Sequence, residues 1–197
     1  MKIFDISQAV PDCSVYPGDS SPVLKSVASI DKGDICNLTE FSMCAHNGTH
    51  IDAPYHFFSQ GKTVAEISPD YFAGKCFVCF FDGELSSEDA QRILDKACKT
   101  DRDAAKRILI GGKAVVTLEA AAVFRSAHIY LIGNESQTVG PEDAPAKVHY
   151  ELLGSDIVLL EGIRLGGVPE GVYFLSAAPL NLGRCDGAPC RALLISE

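Results

Sequence analysis

His46-Asn47-Gly48-Thr49-His50-Ile51-Asp52-Ala53-Pro54-Tyr55-His56 contains three of the five histidines of this 197-residue chain. A helix would stack histidines four residues apart on successive turns, but the glycine, the two β-branched residues and the proline in this stretch all disfavour a helix. We therefore predict an extended segment. Alternate side chains of an extended chain share one face, so the even-numbered positions should point the same way.

That shared face collects His46, His50, Asp52 and His56, with Gly48 leaving room for a metal ion, a water molecule or a substrate near the backbone. Neutral imidazoles and a carboxylate form a ligand set that suits Zn²⁺, Mn²⁺ or Fe²⁺. Three ligands would leave open positions for water and a substrate carbonyl, which is typical of a catalytic site. His56 would then be placed to carry protons. A structural metal site, or histidines with separate roles, is the alternative that the pattern leaves open.

Two later residues could complete such a site. His149 lies in a predicted helix over residues 142–153, and Glu161 ends a predicted apolar strand over 157–161. A turn at Gly154 would let the strand return beside the helix, so the two side chains can be close in space. Each also has an ordinary explanation, as a partly buried helix residue and as the polar end of a strand.

The rest of the chain is rich in strands at both ends and alternates helices with strands between them. Strands are predicted over residues 2–6, 23–30, 37–44, 75–81, 107–110, 128–132, 157–161, 171–176 and 191–195. Helices are predicted over 87–99, with Ser86 or Ser87 as the N-cap, over 117–126, with Thr117 as the N-cap, and over 142–153. This order indicates an α/β fold in which a mixed β-sheet carries flanking helices. We expect one domain over residues 1–197.

Composition excludes several classes of partner. Lys and Arg number 17 against 26 Asp and Glu, a formal net charge of −9, and no basic run is present that could neutralise nucleic-acid phosphates. Neither a signal peptide nor an apolar segment of membrane-spanning length is recognisable. We expect a cytoplasmic protein without a nucleic-acid or membrane partner. The eight cysteines are spaced irregularly, which predicts free thiols.

Cys76 and Cys79 have the Cys-x-x-Cys spacing found in metal sites, but they lie within the apolar stretch 75–81. In a strand, this odd spacing sends the two sulfur atoms to opposite faces. We therefore expect both cysteines to pack in the core without sharing a metal.

Residues 46–56 resemble the His-x-Gly-Thr-His-x-Asp-x-Pro-x-His motif of the cyclase family, which includes bacterial kynurenine formamidases and isatin hydrolases. The resemblance extends from Asp5-Ile6-Ser7 and Tyr16-Pro17-Gly18-Asp19 to residues 186–192, and thus covers nearly all of the chain. It implies a swivelling β/β/α fold, assembly as a homodimer or homotetramer, and a divalent metal that supports amide hydrolysis.

The resemblance also implies roles for individual residues. His56 matches the general acid/base of the family, and five residues match its metal ligands: His46, His50, Asp52, His149 and Glu161. The last two match the positions that help to bind a second metal in the formamidases. Tyr16 and Asn134 stand where many relatives carry Trp and Asp, and we expect both to line the substrate pocket.

These observations predict a metal-dependent hydrolase that opens a small-molecule formamide or cyclic amide with metal-activated water, in the way that N-formylkynurenine yields kynurenine and formate. Zinc is the preferred ion and manganese or iron are alternatives, with one or two ions per subunit. Three other functions are also compatible with the sequence: hydrolysis of isatin or another cyclic amide, a polyketide-type cyclase or lyase reaction, and binding of a metal or small molecule without turnover.

Overall fold

The computed structural model describes residues 1–196. Its strands are β1 (Lys2–Asp5), β2 (Val23–Ala28), β3 (Leu38–Ser42), β4 (His50–Asp52), β5 (Ala73–Phe80), β6 (Gly83–Leu85), β7 (Arg107–Gly111), β8 (Ala114–Val116), β9 (Leu131–Asn134), β10 (Val158–Glu161), β11 (Gly171–Ser176), β12 (Gly187–Pro189) and β13 (Leu193–Ser196). Its α-helices are α1 (Ser87–Thr100), α2 (Leu118–Ser126) and α3 (Ala146–Leu153).

A nine-stranded sheet organises the fold, in the order β1-β13-β11-β5-β7-β9-β10-β4-β12. Its middle strands β5, β7, β9 and β10 run parallel to one another, whereas β4 pairs antiparallel with β10 on one side and with β12 on the other. Antiparallel pairs also join β1, β13, β11 and β5. The predicted mixed α/β sheet is therefore confirmed.

The three helices pack on one face of this sheet. Ser86 caps α1 through a reciprocal pair of hydrogen bonds with Asp89, and the Thr117 side chain caps α2, as expected from the sequence. A second hydrophobic core fills the opposite face. Cys79 is buried in the helix-side core and Cys76 in the other, which confirms that their side chains point to opposite faces. No helix within residues 1–196 has the length and apolar character needed to cross a membrane.

Two predicted elements begin three or more residues later than expected. Helix α3 starts at Ala146 instead of residue 142. Pro145 disfavours helical geometry in the residue before it, so the helix does not extend further back, and Pro145 itself occupies the N-cap position. Strand β9 starts at Leu131 instead of residue 128. His128 adopts a left-handed conformation with φ of 52°, and its N–H donates to the Arg125 carbonyl, so this residue closes α2 and does not open a strand.

Candidate metal centre

Only the centre of residues 46–56 is extended. His50–Asp52 form β4, which is buried between its two antiparallel neighbours. Before it the chain turns at Gly48, whose φ of 65° is left-handed, and after it Pro54–His56 form a short 3₁₀ helix. The prediction of one extended segment is therefore wrong outside the strand. His50 and Asp52 do share a face, but His46 and His56 reach the site through the turn and the 3₁₀ helix.

Two glutamines hold the turn that carries His46. The Gln137 side-chain amide donates to the carbonyls of His46 and Gly48 at 3.3 and 2.9 Å. Gln8 in turn donates to the Gln137 carbonyl oxygen at 2.9 Å. Neither glutamine stood out in the sequence, because each lies far along the chain from residues 46–56 and belongs to no recognisable motif.

Four buried side chains meet beside β4. His50 Nε2 lies 3.3 Å from Asp52 Oδ1 and 3.5 Å from Glu161 Oε2. His149 Nε2 lies 3.6 Å from Asp52 Oδ2 and 3.3 Å from Glu161 Oε1. Glu161 arrives opposite His50 because β10 pairs with β4, and His149 arrives from α3. The structure thus brings His149 and Glu161 to Asp52, as the pairing of helix and strand suggested.

These separations fit a divalent ion better than a hydrogen-bond network. With metal–ligand distances of about 2.1 Å, neighbouring atoms of a tetrahedron lie about 3.4 Å apart, whereas N–H···O hydrogen bonds usually span about 2.7–3.2 Å. His50 Nε2 is fully buried and has no hydrogen-bond partner. A buried imidazole nitrogen without a partner is costly unless something binds it. The donor set of imidazole and carboxylate therefore fits a divalent metal.

His46 links this cluster to the rim of the site. Its Nδ1 lies 2.7 Å from Asp52 Oδ1, and its Nε2 lies 2.8 Å from Asp186 Oδ2. The ligand atoms of His46, His50 and Asp52 lie within 4.8 Å of one another, and so do those of Asp52, His149 and Glu161. Asp52 belongs to both groups.

The carboxylates of the site concentrate negative charge, which nearby positive charge must balance. Burial lowers the pKa of His46, but hydrogen bonds to Asp186 and Asp52 outweigh burial and raise this pKa to about 11. Burial likewise lowers the pKa of His50, yet Asp52 and Glu161 raise it to about 9. Within residues 1–196, the recorded ion pairs of Asp52 and Glu161 are all with histidines. Buried carboxylates need positive charge close by, supplied by protonated imidazoles or by a metal.

His56 stands at the edge of the cluster, 29% exposed. Its ring lies over that of His46 with 4.1 Å between centroids, and its Nδ1 lies 3.1 Å from Asp186 Oδ2. Asp186 precedes β12 and reaches the site because β12 pairs with β4. Sequence reasoning gave Asp186 no role, although the residue opens the stretch 186–192 that contributed to the family resemblance.

A cavity of about 250 Å³ opens onto these groups. Besides the five predicted ligands and His56, its lining includes Tyr16, Asp19, Phe57, Gln137, Thr138 and Pro145. The Tyr16 hydroxyl donates to the Glu142 carbonyl at 3.0 Å and ties the N-terminal loop to the far wall. Tyr16 therefore lines this cavity, and its contact with a substrate stays a prediction.

Asn134 does not line the cavity, contrary to the expectation. Its side chain is 1% exposed, and its amide donates to the carbonyls of Ala114 and Thr138 at 3.3 and 3.1 Å. Because Asn134 ends β9 in the core, its side chain holds the following loop in place. Gln137 and Thr138, further along that loop, reach the cavity instead.

Gly187→Ala is expected to weaken metal binding. A Cβ at Gly187 would lie 2.7 Å from both the His46 Cε1 and the Ile51 carbonyl oxygen, so the His46 ring would have to move. Disturbing the support of a metal ligand typically costs about 10–100-fold in metal affinity. Competition with a chromogenic chelator measures the change. Gly183→Ala is the matched control, because a Cβ at Gly183 meets nothing within 4 Å; equal affinities of the two variants would contradict this account.

The chain resembles known proteins in both sequence and fold. It matches the Cyclase family model, described as "Putative cyclase", over residues 4–141. It is 31% identical to "Kynurenine formamidase" of Erythrobacter litoralis, covering 98% of this chain and 93% of that protein, and 31% identical to "Kynurenine formamidase" of Salinibacter ruber, covering 98% and 97%. Isatin hydrolase A from Labrenzia aggregata has a similar fold, with a TM-score of 0.82 at 22% identity over 100% of this chain and 94% of that structure.

Proposed function

The chain belongs to the cyclase family, and from that premise we propose that it hydrolyses N-formylkynurenine, or a closely similar aryl formamide, to an amine and formate. In coarser terms it is a metal-dependent amidohydrolase that cleaves a C–N bond of a formamide or cyclic amide outside peptides. The observation that carries the proposal is the fully buried His50 Nε2, which makes no hydrogen bond and faces the carboxylates of Asp52 and Glu161 beside an open cavity.

We propose that the bound ion is zinc, with two ions per subunit. His46, His50 and Asp52 would hold one, and Asp52, His149 and Glu161 the other, in support of which each trio keeps its ligand atoms within 4.8 Å of one another. Imidazole and carboxylate ligands suit zinc, and they also admit manganese or iron. The chemistry supplied by a bound ion is polarisation of the substrate carbonyl and activation of water for attack.

The protein's own groups position the substrate and move the proton. His56 lines the cavity and hydrogen-bonds through Nδ1 to Asp186, which leaves Nε2 to take a proton from the attacking water. The same nitrogen passes the proton to the departing amine when the C–N bond breaks. Tyr16 and Phe57 offer aromatic surface for the aryl group of the substrate.

A substrate screen tests the proposal. Protein purified without chelator is analysed for metal and assayed with N-formylkynurenine, N-phenylformamide and isatin in ¹⁸O-labelled water. We expect turnover of the formamides with one solvent oxygen incorporated into formate. Ring opening of isatin alone would favour a cyclic amide hydrolase. Turnover without solvent oxygen would indicate a lyase or cyclase, and metal binding without turnover of any amide would indicate a binding protein.

We further propose that the protein is a homodimer or homotetramer assembled through the hairpin of β2 and β3. Among residues 1–196, β2 and β3 pair only with each other, and apolar side chains of this hairpin are exposed, with Leu38 at 56% and Phe41 at 61%. An isolated two-stranded hairpin is at best marginally stable in water. A second copy of the chain packed on the hairpin would supply the missing burial.

We also propose a cytoplasmic location, supported by eight free cysteines.

Phe41→Asp is expected to shift the protein towards monomer, because it places a charge on the proposed interface and removes a large apolar contact. Analytical ultracentrifugation at micromolar concentration measures the shift. Leu118→Asp is the matched control, since Leu118 is an exposed apolar residue, 41% exposed, on α2. The same oligomer in wild type and Phe41→Asp would show that the hairpin does not hold the subunits together.

A further inference from the structure

The carboxylate of Asp186 lies between two histidines at the rim of the cavity. Its Oδ2 is 3.1 Å from His56 Nδ1 and 2.8 Å from His46 Nε2. The backbone at this position is fixed as well, because the Asp186 carbonyl accepts a hydrogen bond from the N–H of Ala53 at 2.9 Å. Asp186 is therefore held in place by the pairing of β12 with β4 and does not sit on a free loop.

The two histidines depend on Asp186 to different degrees. His46 has a second anchor, since its Nδ1 also contacts Asp52 Oδ1 at 2.7 Å. For the His56 ring, the bond to Asp186 is the one hydrogen bond recorded among residues 1–196. The neighbouring rings of His46 and Phe57 limit its tilt, with centroid distances of 4.1 and 4.8 Å, but they do not select which nitrogen carries the hydrogen.

We propose that Asp186 is the positioning residue for His56: its carboxylate accepts the Nδ1 hydrogen, selects that tautomer, and turns Nε2 towards the substrate. An ionised carboxylate only accepts hydrogen bonds, so the nitrogen that faces it must be the donor. The other nitrogen then keeps its lone pair for proton transfer, as in other pairs of a base and an orienting carboxylate. The inference rests on the proposed hydrolase function.

The expected result is a fall in kcat without loss of metal. In Asp186→Asn, the amide can donate to Nδ1 and stabilise the wrong tautomer, so we expect kcat for N-phenylformamide to fall by up to the about 10²–10⁴-fold that positioned proton transfer contributes, with KM and zinc content near wild type. Asp5→Asn is the matched control, because the Asp5 carboxylate is also 41% exposed and pairs with Arg191 outside the cavity.

A double variant separates positioning from a merely structural role. If Asp186 acts through His56, then Asp186→Asn adds little further loss in a His56→Ala background, because residues that act as a unit are not additive. An equal additional loss in that background would overturn the proposal. So would a loss of zinc in the single variant, which would make Asp186 a support of His46 or a metal ligand.

The ¹⁵N resonances of the His56 ring provide a readout that does not depend on turnover. In the zinc-loaded wild type, two-bond ¹H–¹⁵N correlations should show hydrogen on Nδ1, and in Asp186→Asn this pattern should change. A wild-type ring with hydrogen on Nε2 would overturn the proposal. If no amide is turned over, the proposed function fails, and the ring spectrum still decides whether Asp186 sets the tautomer.

Discussion

Asp52→Ala is expected to abolish metal binding and turnover together. Asp52 is 1% exposed, and its two oxygens face different histidines: Oδ1 faces His46 and His50, and Oδ2 faces His149. Removing it takes a ligand from both proposed ion sites. Removal of this shared carboxylate should therefore reduce zinc affinity more than removal of any one histidine.

Elemental analysis and thermal unfolding measure this loss. Zinc at about 100 times its Kd stabilises a protein that binds it only when folded by about 2.7 kcal/mol, so added zinc should raise the Tm of wild type and not that of Asp52→Ala. Comparison with chelator-treated wild type separates loss of the ion from damage to the fold. If Asp52→Ala retained zinc and its zinc-dependent rise in Tm, Asp52 would not be a ligand.

His56→Ala is expected to lower kcat by about 10²–10⁴, the usual contribution of positioned proton transfer. Zinc content should stay near wild type, because His56 belongs to neither proposed zinc trio, although it forms a third, less buried cluster with His46 and Asp186. Steady-state kinetics with N-phenylformamide and elemental analysis of the same preparation provide the two measurements.

His128, the histidine that does not line the cavity, provides the control for His56. His128 is exposed at the end of α2, and its left-handed φ of 52° is readily adopted by asparagine. His128→Asn should therefore leave kcat, KM and zinc content unchanged. Equal kcat in His56→Ala and His128→Asn would remove His56 from proton transfer, and loss of zinc in His56→Ala would make it a ligand.

Local patterns predicted most elements of the fold because their causes are local. Ser86 and Thr117 cap α1 and α2 as their side chains indicated, and the burial of Cys76 and Cys79 on opposite faces of the sheet follows from strand geometry. Residues 46–56 do not form one extended segment, and the reason is also local. Gly48 and Pro54 leave room for a strand of only three residues between a turn and a 3₁₀ helix.

The positions of several side chains in and around the site depended on contacts between distant parts of the chain. Asn134 was expected in the pocket because it stands where many relatives carry Asp, but β9 carries it into the core, where its amide donates to backbone carbonyls. Asp186 and Gln137 had no local signal, because their partners lie about 130 and 90 residues away along the chain. Short-range periodicity carries no information on such contacts.

The sequence by itself determined which chemical groups are available: imidazoles and carboxylates at spacings suited to a divalent ion, in a chain whose charge disfavours nucleic acid. Only the tertiary structure decided which groups meet. Pairing of β4 with β10 and β12 brings Glu161 and Asp186 to opposite sides of the same short strand. Register between distant strands is set by the packing of the whole sheet and by the burial of its faces, and so it emerges only when the chain is folded.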